Sequence, residues 1–272
     1  RVSQELERNG RIALLRRTLD LLDPADKLGR FFVLRRILWL SDCDSTCLAD
    51  LSRAAEEAGA WRELAAVYLD LAARAADETA RTALERDLAR LYEQRENDSV
   101  RAFLVLQNAG PQSPRDPALL EELARLAEAT GRHEDLLALL DVAARIGPED
   151  QRRGALARRA AICETRLGDP ERAFHEWVRV LALDSHDAEA LDNARRLAAA
   201  KSLWRQLDAL YAELWDRAED VAERVALARA RHQVHSEQLQ DPMGALDWLL
   251  VVYRLDPAAP GIADRIAAAA ET

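Results

Sequence analysis

DPERAFHEWVRVLALDS, residues 169 to 185, decides the fold. Its Asp169 can accept from the N–H groups of a first helical turn, Pro170 sits at N1 where a missing N–H costs nothing, and Ala173 is followed one turn on by Trp177. The same frame recurs as DKLGRFFVLRRILWLSD from Asp26, DSVRAFLVLQNAGPQSP from Asp98 and DPMGALDWLLVVYRLDP from Asp241, with spacings of 72, 71 and 72. Ala102, Ala173 and Ala245 share one position, and Leu106, Trp177 and Leu249 another. The pairing predicts a small residue for close helix approach, followed by a knob.

Between these copies lies a second set: LADLSRAAEEAGAWRELAAVYLDL from Leu48, LEELARLAEATGRHEDLLALLDVA from Leu120 and LDNARRLAAAKSLWRQLDALYAEL from Leu191. Each reads helix, tight turn, helix, with Gly59 and Gly131 suited to a left-handed C-cap and Trp61, His133 and Trp204 opening the second helix. The residues that follow the turns are 26, 60, 98, 132, 169, 203 and 241, so the unit is a helical hairpin used seven times. One such hairpin cannot bury its own apolar face and is stable only when stacked on neighbours.

LGDPERAFHEWVRVLALDSHD (Leu167 to Asp187), GRHEDLLALLDVAARIGPED (Gly131 to Asp150) and the closing prolines Pro114, Pro148 and Pro257 resemble tetratricopeptide repeats over nearly the whole chain. Several positions depart from that pattern. Asn97 and Gln240 stand at the turn glycine, Arg90 and Gln233 at a small position of a first helix, and some hairpins run to 37 or 38 residues where the family has 34. The resemblance implies an all-α solenoid, a right-handed superhelix of stacked antiparallel hairpins. It would form a single array over residues 1–272, with seven hairpins plus one terminal helix (Ala258 to Thr272) that lacks a partner. The start at Arg1 and the end at AAAAET predict a segment of a longer protein.

Composition agrees. Apolar residues make up 49% and aromatics 5% of the 272, with 10 Gly and 9 Pro, so strands are disfavoured and a core is available. A net charge of -10 argues against a sequence-independent grip on nucleic acid, and no apolar run reaches membrane-spanning length, so no membrane insertion is expected. The expected location is the cytoplasm. All basic residues but Lys27 and Lys201 are arginine, which is attributed to a GC-rich coding genome rather than to bidentate chemistry.

Catalytic signatures are missing: there is no G-x-G-x-x-G, G-K-[ST], G-x-S-x-G or H-E-x-x-H, so no enzyme activity, cofactor or metal is expected. His232 and His235 are half of a metal pair at most, and His232 falls at a packing position shared with Ala89 and Ala160. Cys43, Cys47 and Cys163 read as free thiols. Asn97-Asp98-Ser99 is a glycosylation sequon whose Asp is already explained as an N-cap.

The resemblance places a partner peptide or protein in a concave groove lined by first helices. By position the groove includes Arg53, Asp87, Leu91, Glu121, Arg125, Arg158, Ile162, Asp192, Arg196 and Val234. Arg53, Arg125 and Arg196 alternate there with Leu91, Ile162 and Val234, which suits an extended ligand of alternating acidic and apolar side chains. The same rungs also read as i,i+4 surface pairs, Glu121 with Arg125 and Asp192 with Arg196. A lysine and asparagine carboxylate clamp, used by some family members, is absent.

On the convex side, FFVLRRILWL (Phe31 to Leu40) and ALDWLLVVYRL (Ala245 to Leu255) are apolar around most of their circumference. Helical phase turns Phe32, Val33, Trp39, Trp248 and Val251 outward, as it does His175, Glu176 and Arg179 in the middle copy. These apolar ends would support self-association, unless the chain's own turns cover them. The function expected is a protein interaction scaffold; the alternatives are a self-associating structural element or the recruiting arm of a larger enzyme.

Overall fold

The computed structural model describes residues 2–41, 45–109, 116–258 and 260–270; Cys43 and Pro114 lie outside them. Among the described residues there is no strand, and no helix is long and apolar enough to cross a membrane. The helices are α1 (Val2–Leu21), α2 (Lys27–Leu40), α3 (Ser45–Ala58), α4 (Trp61–Arg74), α5 (Glu78–Arg95), α6 (Ser99–Gln107), α7 (Pro117–Thr130) and α8 (His133–Ile146). They continue as α9 (Glu149–Thr165), α10 (Pro170–Leu183), α11 (Ala188–Lys201), α12 (Trp204–Arg217), α13 (Val221–Gln233), α14 (Pro242–Leu255) and α15 (Ile262–Ala270). A π turn, Val234–Gln238, extends α13.

The local rules hold where the repeat predicts them. Asp26, Asp98, Asp169 and Asp241 each cap their helix by accepting from the N–H three residues on. The turn position is left-handed at Gly59, Gly131 and Gly168, as a glycine C-cap requires, and it stays left-handed at Asn97 (φ 53°), Ser202 (φ 57°) and Gln240 (φ 51°). The turn geometry is therefore set by the hairpin, and the non-glycine residues bear its steric cost. One copy differs from expectation: α6 stops at Gln107, with Asn108 as its C-cap, whereas its counterparts α10 and α14 run 14 residues.

The chain forms two compact units, residues 1–139 and 140–272. In the first, α1 packs on α2, α2 on α3, α4 on α5 and α5 on α6, around Phe31, Leu38, Leu51, Leu64 and Leu88. In the second, α9 packs on α10, α10 on α11 and α13 on α14. Ala102 and Ala173 are completely buried and Ala245 nearly so, while Leu106, Trp177 and Leu249 fill the space one turn on. A larger residue at any of the three alanines would push paired helices apart.

Two polar features break the apolar plan of the second unit. Arg159 on α9 and Glu176 on α10 are 6% and 5% exposed, joined by Arg159 Nη2 donating to Glu176 Oε1 at 2.6 Å. Arg179 Nη1 donates to the other oxygen of Glu176 at 2.8 Å, and Arg179 Nη2 reaches Asp141 at 3.0 Å. Glu176 therefore does not face outward, as helical phase predicts. Its charge is kept inside by two guanidinium groups.

Candidate functional site

The second unit carries a groove of about 590 Å³ between α11, α12 and α13. Its floor is apolar: Leu207 and Tyr211 are buried and Trp204 half-buried. The first helices put charge along its sides, Arg195 from α11 and Arg229 from α13, and the π turn contributes Val234, Glu237 and Gln238. Arg195 is held in place by its Nε donating to the Tyr211 hydroxyl at 2.8 Å, with the guanidinium 5.5 Å from that ring's centre. Gln233 donates to Glu237 at 3.1 Å. The groove thus offers an aromatic floor, two guanidinium groups and amide groups at its rim, the donor set for an extended segment with an apolar side chain and an acidic neighbour.

Behind the π turn lies a charged cluster. Arg231 gives both fork nitrogens to Asp208, at 2.7 and 2.8 Å, while its guanidinium carbon sits 4.0 Å over the Trp248 ring. Burial pushes the Asp208 carboxyl up, but Arg231 and His235 hold it below the ordinary carboxylate range. Asp241 is also held low, by the Gly244 N–H and then by His235.

The residues singled out by repeat position are scattered among several surroundings. Val234 alone lines the groove just described. Leu91 and Val234 are buried at 7% and 6% exposure and Ile162 is half-buried. Arg53 is exposed near Asp50 and lines a second groove, of about 560 Å³, with Arg16, Arg30 and Glu57. Asp87 pairs with Arg90 beside Arg86 and Thr82 in a smaller indentation. Glu121 is exposed and Arg158 half-buried, and both have partners.

Two of the arginine rungs pair across hairpins. Arg125 forms a bidentate pair with Glu93 on α5, its Nη2 donating to Oε2 at 2.7 Å. Arg196 does the same with Glu164 on α9, at 2.6 and 2.8 Å, and Asp192 is nearest Arg195, at 3.7 Å. Each pair spans 32 residues and ties one hairpin to the next. Hydrogen bonds from Arg125 and Arg196 hold the Glu93 and Glu164 carboxyls below the usual range.

Several arginines make contacts that suit a guanidinium group. Three bidentate pairs use the planar fork, and guanidinium groups lie over Trp39 (Arg74, 4.5 Å), Trp61 (Arg95, 4.7 Å) and Trp248 (Arg231). Lysine cannot make either arrangement equally well.

Most of the expected convex patch is covered. Val33 and Trp39 pack against the core of the first unit, with Arg74 over the Trp39 ring. Trp248 and Val251 pack against Val225, Leu249 and Val252, and Trp215 meets Trp248 edge-on at 5.5 Å. Phe32 remains exposed at 42%, beside a hollow of about 490 Å³ between α2 and α4. His232 bonds the Ala245 carbonyl and Arg265, and His235 lies between Asp208 and Asp241. Cys47 and Cys163 are buried free thiols.

Arg159, Arg231 and Asp208 went unnoticed in the sequence, and Glu176 and His235 were noted there without these partners. The signal was present: position 88 of one copy is Leu, and 71 and 143 residues on it becomes Arg159 and Arg231.

No protein-family model and no curated protein matches the chain. Solved structures of tetratricopeptide repeat proteins are similar to it. The C-terminal part of such a protein from Cytophaga hutchinsonii is 15% identical, with 91% of this chain and 98% of that one covered, at a TM-score of 0.35. One from Parabacteroides merdae is 14% identical, covering 95% and 98% at 0.34, and the TPR2AB domain of yeast Sti1, solved as a complex with pHSP90, is 13% identical, covering both chains in full at 0.31.

Proposed function

We propose that the chain is a protein interaction scaffold, one array over residues 1–272, and that its second unit captures an extended partner segment in the α11–α13 groove. The observation that carries this reading is the meeting of Trp204, Leu207 and Tyr211 with Arg195 and Arg229 in one open groove. Burial of an apolar side chain on that floor supplies most of the free energy, at about 25 cal/mol per Å². The two arginines select a segment with an acidic residue next to it.

A random-peptide display library panned against the chain tests the proposal. Selected peptides should share an apolar residue flanked by Asp or Glu, and Arg195→Glu with Arg229→Glu should weaken them at least about tenfold while helicity is kept. Peptides that bind the double variant as well as the parent would refute the groove assignment.

A second reading, self-association, is favoured by one observation: Phe32 at 42% exposure with Leu28 and Leu69 also exposed on the same unit. Solution mass by light scattering across a wide concentration range separates the two. Growth in mass that Phe32→Glu abolishes supports self-association; a constant single-chain mass removes it.

A further inference from the structure

His235 differs from its counterparts in a way that the groove alone does not explain. The N–H of Asp241 bonds the carbonyl of His235, as that of Asp98 bonds Tyr92 and that of Asp169 bonds Cys163. Of these three equivalent residues, His235 alone carries an imidazole, a group that can be neutral or charged. Its side chain is only 14% exposed. Nδ1 lies 2.9 Å from Asp241 Oδ2 and Nε2 3.3 Å from Asp208 Oδ1, so the ring bridges the N-cap of α14 to the middle of α12. Position 244 is glycine, as Gly29 is in the first copy, where the second and third copies have Arg101 and Arg172, and a Cβ at 244 would collide with the His235 ring and the Asp241 carboxylate. The glycine therefore leaves room for the His235 ring.

We infer that His235 is a proton-operated latch on the π turn Val234–Gln238, which forms one wall of the groove. A neutral imidazole has one N–H and can donate to only one of its two carboxylates; the imidazolium donates to both. The charges facing the ring are Asp208 from α12, Arg231 from α13 and Asp241 from α14, with His232 one turn away bonded to the Ala245 carbonyl and to Arg265 of α15. Arg231 offsets Asp208, which leaves Asp241 uncompensated, so a proton on His235 brings the cluster to neutrality. The buried Nε2, which makes no hydrogen bond in the structure, is where the second donor goes. The latch is closed when His235 is protonated and is lost when the imidazole gives up that proton.

The effect on ligand capture rests on the groove reading, but the latch can be measured without any ligand. Hydrogen exchange of amides 234–241, corrected for its intrinsic pH dependence, should show several-fold greater protection at about pH 5 than at about pH 8. His235→Gln should abolish that difference. Asp241→Asn, which keeps the capping oxygen and removes the charge, should reduce it, and this second variant serves if the first fails to fold. Equal protection at both pH values in the parent, or an undiminished difference in both variants, would overturn the latch. Should the latch hold while display-selected peptides bind equally at both pH values, its link to the groove fails and the latch itself stands.

Discussion

Replacing Glu176 by Val removes the shortest carboxylate partner of a guanidinium that is 6% exposed, and leaves Asp141 Oδ1 3.9 Å from Arg159 Nη1. Breaking a buried pair from one side costs about 3–5 kcal/mol, and the remaining Asp141 places this case near 3. At about 2–4 °C per kcal/mol for a chain of this size, the melting temperature should fall by about 6–12 °C. Arg159→Leu leaves the Glu176 carboxylate bound to the half-exposed Arg179 and should cost about 2 kcal/mol. The double variant is the critical one, because the molecule already contains it: 71 residues earlier, the same two positions are Leu88, fully buried, and Val105. Transplanting that pair should bring stability back to within about 1 kcal/mol of the parent, since apolar residues of similar volume replace buried ion pairs at little or no cost. Urea and thermal unfolding followed by helical circular dichroism give the coupling energy of the cycle, expected to be about 4 kcal/mol. If the double variant is as unstable as the sum of the singles, Arg159 and Glu176 contribute through separate contacts and the ion pair explains nothing.

Glu93 and Glu164 have depressed carboxyl pKa values in the fold, so the stability they lend is complete above the ordinary Glu value of about 4.3 and is lost as pH falls through the folded value. Between about pH 5 and pH 3 the parent should therefore lose about 1 kcal/mol more than Arg125→Ala/Arg196→Ala in low-salt urea titrations, and little more in 1 M salt, because both arginines are more than half exposed. Gln240→Gly should raise the urea midpoint by a stabilisation of about 0.5 kcal/mol, relief of the left-handed backbone at φ 51° outweighing the entropy that glycine adds to the unfolded chain. An unchanged or lowered midpoint would show that the Gln240 side chain is worth more than the strain it causes.

The hairpins were legible in the sequence because their rules are local. An Asp, an Ala three or four residues on and a knob one turn later appear in one stretch of chain, and all four caps formed as their spacing predicts. The site was less legible because it depends on residues 16 to 32 apart, and helical phase says only which way a side chain starts, not what it finds. Glu176 and Trp248 occupy one repeat position and both were expected on the outside. Each is instead covered by an arginine from the helix before it, Arg159 in one copy and Arg231 in the next, which also occupy one repeat position. Those arginines resolve the same geometry with different chemistry: a carboxylate meets the edge of the guanidinium, and an indole meets its face. Once position 88, 159 and 231 is read as Leu, Arg, Arg and position 105, 176 and 248 as Val, Glu, Trp, the substitutions form three matched pairs. The repeat therefore encodes its long-range contacts as correlated departures from its own consensus.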